Sequence, residues 1–202
     1  MKRLRRYDFL APLYDSIDFS EWLYKRRLRP RLFAGLGGRI LDAGIGTGCN
    51  VPFYPSEAWM VGTDLSPGML SRAQRFAART RRPVALAAMD ICNLGFPDGS
   101  FDAVISTFVL CTLDEELQRP ALAEFARIVR PGGEVRILDY ALSRRPLVRS
   151  LMKAYQPWEK LVFHGAFDRH TKRYFAPAGL SFVREESYVL DMVRLYVARR
   201  PG

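Results

Sequence analysis

Short apolar runs separated by amphipathic stretches organise the middle of the chain. Arg39-Ile-Leu-Asp-Ala43 reads as a buried strand running into a glycine-rich turn, and Met60-Val-Gly-Thr63 as a second strand running into Asp64. Runs of this length without polar alternation suit strands buried on both faces. Val84-Ala-Leu-Ala87, Phe101-Asp-Ala-Val-Ile-Ser106 and Glu134-Val-Arg-Ile-Leu138 are further strands of this kind. Pro67, at a helical position where its missing N–H costs nothing, opens a helix through about Arg79. In Leu117 to Val129 the apolar residues Leu122, Phe125, Ile128 and Val129 recur at helical spacing, and Pro131-Gly132-Gly133 is expected to stop that helix. Strands alternating with helices predict a parallel α/β sheet.

The two ends of the chain follow other rules. Ser181-Phe-Val-Arg184 and Met192-Val-Arg-Leu-Tyr-Val-Ala198 alternate like strands that close the sheet as a hairpin, which makes seven in all. Ahead of the first strand, Tyr7 to Leu13 and Glu21 to Phe33 read as two helices separated near Asp18. With no internal repeat and no low-complexity linker, residues 1–202 are expected to form one domain, residues 1–36 serving as a helical lid or membrane-contact segment. Between Tyr140 and Ser181 lies a long basic and aromatic stretch without a clear period.

Composition excludes several classes. At 202 residues and 49% hydrophobic the chain has ample core material, so a disordered reading fails. Its three cysteines, Cys49, Cys92 and Cys111, never fall in a Cys-x-x-Cys pair, which argues against a disulfide framework and against a metal site. A reducing cytosol is the expected compartment. The basic start lacks the apolar core of a signal peptide, and no run approaches the roughly 20 apolar residues of a membrane span. The net charge of +10 is larger than a small free metabolite calls for and points to a polyanionic partner. It is concentrated in residues 1–39, with ten Lys/Arg against four acids, and in residues 142–174, with eight against two.

Leu41-Asp-Ala-Gly-Ile-Gly-Thr-Gly48 places Gly44, Gly46 and Gly48 at the end of a strand, where backbone must approach a ligand closely. Asp64 ends the next strand 22 residues after Asp42, where a carboxylate can accept hydrogen bonds from both ribose hydroxyls. Asp90, followed by Ile91 and Cys92, is placed to recognise an adenine edge at the end of the third strand. A plain helix-capping role for Asp64 ahead of Ser66-Pro67 is the bland alternative. A nicotinamide dinucleotide is disfavoured, because the Gly-x-Gly-x-Gly loop lacks the third glycine that lets a helix N-terminus approach a pyrophosphate.

The segments Ile40-Leu-Asp-Ala-Gly-Ile-Gly-Thr-Gly-Cys-Asn50, Gly62-Thr-Asp-Leu-Ser-Pro-Gly-Met69, Phe96-Pro-Asp-Gly-Ser-Phe-Asp102 and Leu122 through Arg130-Pro-Gly-Gly133 resemble the successive motifs of class I S-adenosylmethionine (SAM) methyltransferases, over about half the chain. The resemblance implies a Rossmann-like fold: a mostly parallel seven-stranded sheet, helices on both faces, and an N-terminal helical extension. It also implies that Gly44, Gly46 and Gly48 line the methionine end, that Asp64 holds the ribose, and that Leu65 and Met69 flank the adenine. Asp90 and Ile91 would face the amino group, with Thr107 and Phe108 beneath the cofactor. Asp42, Ile45, Thr47 and Cys92 complete the cofactor-facing set. Cys92 and Cys111 otherwise read as packing residues.

Methyl transfer from a sulfonium is driven by the cofactor, so few diagnostic catalytic residues are needed and the acceptor must be inferred from the surroundings. No motif for nucleic-acid bases is present, which makes nucleic acid a weak alternative despite the charge, and no obligate protein partner is implied. Leu4, Tyr7, Leu10 and Leu13/Tyr14 fall near one helical face beside Lys2, Arg3, Arg5 and Arg6, the composition of an interfacial helix. Arg6-Tyr-Asp-Phe-Leu-Ala-Pro-Leu-Tyr-Asp15 further resembles the opening motif of quinone-biosynthesis C-methyltransferases and of small bacterial phosphatidylethanolamine N-methyltransferases. The charge pattern favours the latter: an enzyme at the inner face of an anionic membrane, converting phosphatidylethanolamine stepwise toward phosphatidylcholine. In that reading Tyr7, Tyr14, His164 or His170 orients or deprotonates the amine, and Arg169, Lys172 or Arg173 holds the lipid phosphate. A quinone or small-molecule thiol or amine acceptor is the alternative, and RNA a further one.

Overall fold

A computed structural model describes residues 26–163 and 165–202. Its elements, in chain order, are α1 (Arg26–Phe33), β1 (Arg39–Ala43), β2 (Trp59–Asp64), α2 (Pro67–Thr80), β3 (Ala85–Ala88), β4 (Phe101–Thr107), α3 (Glu115–Ile128), β5 (Val129–Tyr140), α4 (Pro146–Phe163), β6 (Ser181–Tyr188) and β7 (Val193–Arg199). They build a seven-stranded sheet in the order β3-β2-β1-β4-β5-β7-β6, parallel through β5, with β7 and β6 added antiparallel. The order reverses between β1 and β4, and in open sheets of this kind ligands bind outside the carboxyl ends of the strands at that point.

Alternation along each strand feeds two cores. Leu41, Val104, Val135 and Ile137 face one side, packed with Ala121, Leu122, Phe125 and Ile128 of α3 and with Phe175 and Leu180. Ile40, Met60, Ala103 and Ile105 face the other, packed with Leu28, Leu32 and Phe33 of α1 and Ala73 and Ala77 of α2. Burial on both faces explains why these strands read as unbroken apolar runs. The start of α2 is set locally: Ser66 is the N-cap, its hydroxyl accepting from Met69 N, with Pro67 next.

The expected boundaries shift in three places. The strand assigned from Glu134 begins at Val129, so Pro131-Gly132-Gly133 lies inside β5 as a bulge and does not stand between a helix and a strand. Phe101 pairs with Val129 and Ala103 with Glu134, which leaves the intervening residues of β5 looped out. The basic stretch after Tyr140 contains the 18-residue helix α4, which the apolar pattern did not reveal. Asp90 lies two residues beyond the end of β3. Of the second expected helix, Arg26–Phe33 is described; the helix expected over Tyr7 to Leu13 lies outside the described residues.

Candidate active site

At the carboxyl end of β1 the chain turns under its own neighbours. Gly44 N and Ile45 N donate to Thr63 O at 2.8 and 2.9 Å, which fastens the loop to the end of β2. Gly44 has φ +77°, and a Cβ there would lie 2.4 Å from Val109 Cγ2, so its glycine serves the packing of the loop itself. Gly46, at φ +58°, differs: a Cβ there would meet no atom within 4 Å. It is the backbone of the loop that faces open space, where a ligand can approach. Asp64 stands beside it with its carboxylate fixed, Oδ2 accepting from Gly46 N at 3.0 Å and Oδ1 from Ser66 N at 2.9 Å. Leu65 is exposed and Met69 buried under it at the start of α2.

Beneath the loop is a buried polar network. Asp42, fully buried, accepts from Tyr54 Oη at 2.7 Å and from Asn50 Nδ2 at 2.9 and 3.1 Å. Asn50 Nδ2 also donates to Thr107 Oγ1 at 2.9 Å, and Arg29 Nη1 donates to Asn50 Oδ1 at 2.6 Å. Burial lifts the Asp42 carboxyl to about 6, although the hydrogen bonds from Tyr54 and Asn50 and the charge of Arg29 pull it down. Burial, and then Asp42 itself, pushes the Tyr54 phenol well above its ordinary value, so it remains a donor. Asp42 therefore acts from within: it holds the loop and the end of β4 together, and does not reach out toward a ligand. Thr47 and Ile45 are buried in the same turn.

Phe108 follows β4 at φ +54°, a conformation unusual for a bulky side chain, with its N–H donating to Leu138 O at 2.8 Å. The Arg29 guanidinium lies 6.0 Å from its ring centroid. From Phe108 a line of rings leads away: Tyr140 at 5.0 Å between centroids, then Phe167 at 5.4 Å from Tyr140, then Tyr155 at 6.4 Å, then Trp158 at 5.0 Å. Phe167 is set there by a staple, since Ala166 N donates to Cys111 O at 2.9 Å and Thr171 Oγ1 to Gln118 Oε1 at 3.0 Å.

The structure places the other expected residues as follows. Asp90 is exposed, its Oδ1 accepting from Cys92 N at 2.8 Å, and Ile91 is buried. Burial and the nearby Asp90 push the half-buried Cys92 thiol up to about 11, which keeps it protonated and fits a packing role. His170 is exposed at the head of the turn Thr171–Tyr174, a surface position ill suited to a base that works away from water. Arg169 and Arg173 pair with Glu115 at 3.6 and 2.5 Å, and Lys172 pairs with Glu185 at 3.1 Å and covers the Phe182 ring. The three cations assigned to a lipid phosphate each stand beside a carboxylate, Lys172 and Arg173 in exposed pairs that solvent screens. Tyr7, Tyr14 and His164 lie outside the described residues. Arg29, Asn50, Tyr54 and Tyr140 were not singled out from the sequence. One signal was present: Arg29 falls three and four residues before Leu32 and Phe33, a cation on the apolar face of its helix.

These residues form a donor set for one kind of ligand. A fixed carboxylate suits vicinal hydroxyls, the Leu65 and Met69 surface suits a purine, and open backbone at Gly46 admits the chain between them. A ring face at Phe108 suits a sulfonium, and the buried Arg29 could hold the methionine carboxylate. The set fits SAM. Residues 40–133 match the family model described as a methyltransferase domain. Residues 40–133 thus form a methyltransferase domain, and the chain is similar to class I methyltransferases that use SAM.

Within that class it is related equally to two groups. It is 34% identical over 134 residues to a phosphatidylethanolamine N-methyltransferase of Cereibacter sphaeroides, covering 65% of this chain and 65% of that one. It is also 34% identical over 155 residues to a demethylmenaquinone methyltransferase of Corynebacterium efficiens, covering 74% of this chain and 64% of that one. The chain thus spans just under two thirds of the curated relatives it matches. Among solved structures, a chain from the complex of the Haloferax volcanii Trm112 methyltransferase activator with a methyltransferase superposes with TM-score 0.77 at 18% identity, covering 98% of this chain and 97% of that one. That likeness is one of fold.

Proposed function

We infer that the protein transfers the methyl group of SAM to a ring carbon of an apolar acceptor of the reduced quinone (quinol) kind, the ring losing a proton to solvent and S-adenosylhomocysteine leaving, as a C-methyltransferase working beside a membrane. The observation that carries this reading is the line of rings from Phe108 through Tyr140 to Phe167, half-buried at its first two members and buried at the third, an apolar wall for a flat acceptor beside the donor loop. SAM supplies an electrophilic methyl on a cationic sulfur. Asp64 and the Gly46 backbone hold the nucleoside end, while Phe108, propped at positive φ on Leu138 O, presents its face to the positive charge. Tyr140 and Phe167 hold the acceptor in line and exclude water. The relatedness to a demethylmenaquinone methyltransferase, over the longer matched segment, supports the same acceptor class.

A phosphatidylethanolamine acceptor is the second reading, favoured by the equal identity to the Cereibacter sphaeroides enzyme. It asks the paired cations near Glu115 and Glu185 to release their carboxylates for a phosphate. No helix among the described residues is long and apolar enough to cross a membrane. A competition assay separates the two: protein, methyl-labelled SAM, and mixed micelles holding a demethylated naphthoquinol and phosphatidylethanolamine in equal amounts. The expected label is on the quinone ring; label in monomethyl and dimethyl head groups would replace this reading with the second.

A further inference from the structure

α4 carries an apolar stripe that the described residues leave exposed. Leu147, Leu151, Tyr155 and Trp158 are 77, 65, 48 and 45% exposed and follow one another at intervals of four, four and three residues, so they lie along one side of the helix. The buried side is a different one, formed by Met152 and Gln156. On the far flank of the exposed arc stand Arg149, whose Nε donates to Ser143 O at 2.8 Å, Lys153, and Lys160, 4.0 Å from Asp168, separated from the stripe by Ser150, Ala154 and Pro157. Arg144 and Arg145 precede the helix, and over residues 142–174 eight Lys/Arg face only two acids. Large apolar side chains in such a contiguous row mark an interaction surface.

Three observations choose its occupant. The cationic flank matches an anionic surface. Tyrosine and tryptophan at one end of the stripe are the side chains that favour the level of lipid head groups. And the stripe is the outer end of the ring line, through Tyr155 and Phe167 to Tyr140 and Phe108. A second copy of this chain docked through the same apolar face would leave the cationic flank without an anionic partner.

We propose that α4 is a membrane-docking helix: Leu147, Leu151, Tyr155 and Trp158 insert at the surface of an anionic bilayer, Arg149, Lys153 and Lys160 meet its phosphates, and the acceptor passes from the bilayer along the ring line to Phe108. The route rests on the apolar-acceptor reading; the docking face does not. The test is sedimentation of the full-length protein with vesicles of equal parts phosphatidylcholine and phosphatidylglycerol. Leu147→Ser with Leu151→Ser should lower partitioning roughly 30-fold, from two leucines that no longer insert. Changing Arg149, Lys153 and Lys160 to Gln should lower it roughly fivefold per cation, and about 0.5 M salt should do the same to the unaltered protein. With Trp22 and Trp59 changed to Phe, the emission of Trp158 should shift to the blue and be quenched by brominated lipid in the bound protein. SAM affinity, measured on each variant, should hold, which shows that the domain is folded. Wild-type partitioning by the leucine variant overturns the proposal, as does a Trp158 that stays unquenched on vesicles. So does a lipid-free self-association that the leucine changes abolish. Vesicle binding as expected with no label on a quinone would sink the acceptor reading and leave the docking face standing.

Discussion

The two halves of the site are built by different means. On the donor side, residues 39–64, the work is done by backbone and by buried groups: Gly44 fits under Val109, Gly46 opens to the ligand, and Asp42 locks Asn50 and Tyr54 from below. On the proposed acceptor side, residues 140–175, it is done by side-chain faces and by ion pairs among groups far apart in sequence, such as Glu115 with Arg173 and Phe167 against Tyr140. A donor site built of backbone can serve one cofactor across many enzymes, whereas a site of ring faces and reversible pairs can be reshaped by single substitutions. That contrast accounts for equal identity to enzymes with different acceptors.

Substitutions at two glycines probe the donor side first and should have the largest effect. Gly44→Ala sets a Cβ 2.4 Å from Val109 and strains a residue at φ +77°, and should cost about 3 kcal/mol of stability in urea titrations, with SAM binding lost along with the fold. Gly46→Ala meets open space, so it should cost only about 1 kcal/mol, the strain of a left-handed alanine, while SAM affinity falls tenfold or more. Equal effects on stability and binding at both positions would erase the distinction between packing and ligand-facing glycines.

Asp42 provides a pH test of comparable size. Its carboxyl titrates near 6 when folded and near its ordinary value, 3.8, when unfolded, so between about pH 4 and 6 the folded state holds a proton that the unfolded state has lost. Stability should therefore fall as pH rises through that window, by about 3 kcal/mol from this group. Asp42→Asn should remove that component, so that the difference between the two proteins in urea midpoint narrows from pH 4 to pH 7 and changes in favour of the variant. A pH-independent difference would mean that the carboxyl titrates at the same pH in the folded and unfolded protein.

The same contrast governs what could be read from the sequence. Buried parallel strands leave unbroken apolar runs, and the glycine loop and Asp64 occupy fixed places relative to them, so the sheet and the donor loop were legible. The β5 boundary was not, because Pro131-Gly132-Gly133 signals a break and here makes a bulge while the strand continues on both sides. α4 was hidden because its apolar residues are divided between a buried and an exposed side, which blurs a single stripe. The network of Arg29, Asn50, Tyr54 and Thr107 joins residues 21 and 57 positions apart, and such contacts leave no local pattern. Pairing hid the cations in the opposite sense: Arg169, Lys172 and Arg173 look available in the sequence because Glu115 and Glu185 lie on other elements.

The smallest effect is expected at those cations. Arg173→Gln breaks an exposed pair with Glu115 and should change the acceptor KM less than twofold. A tenfold rise in KM for phosphatidylethanolamine would give the cation back its role at a phosphate.

The account stands most directly on the separation of donor and acceptor sites, and Phe167→Ala tests it. Phe167 touches Tyr140 and Tyr155 on the acceptor side and is held there through Ala166 and Thr171. Isothermal titration should return a SAM Kd within about twofold of the unaltered protein, while the KM for the quinol acceptor rises about tenfold or more, as expected when one ring face is lost. A SAM Kd that rises as much as the KM would contradict the account, because the ring line would then belong to the donor site.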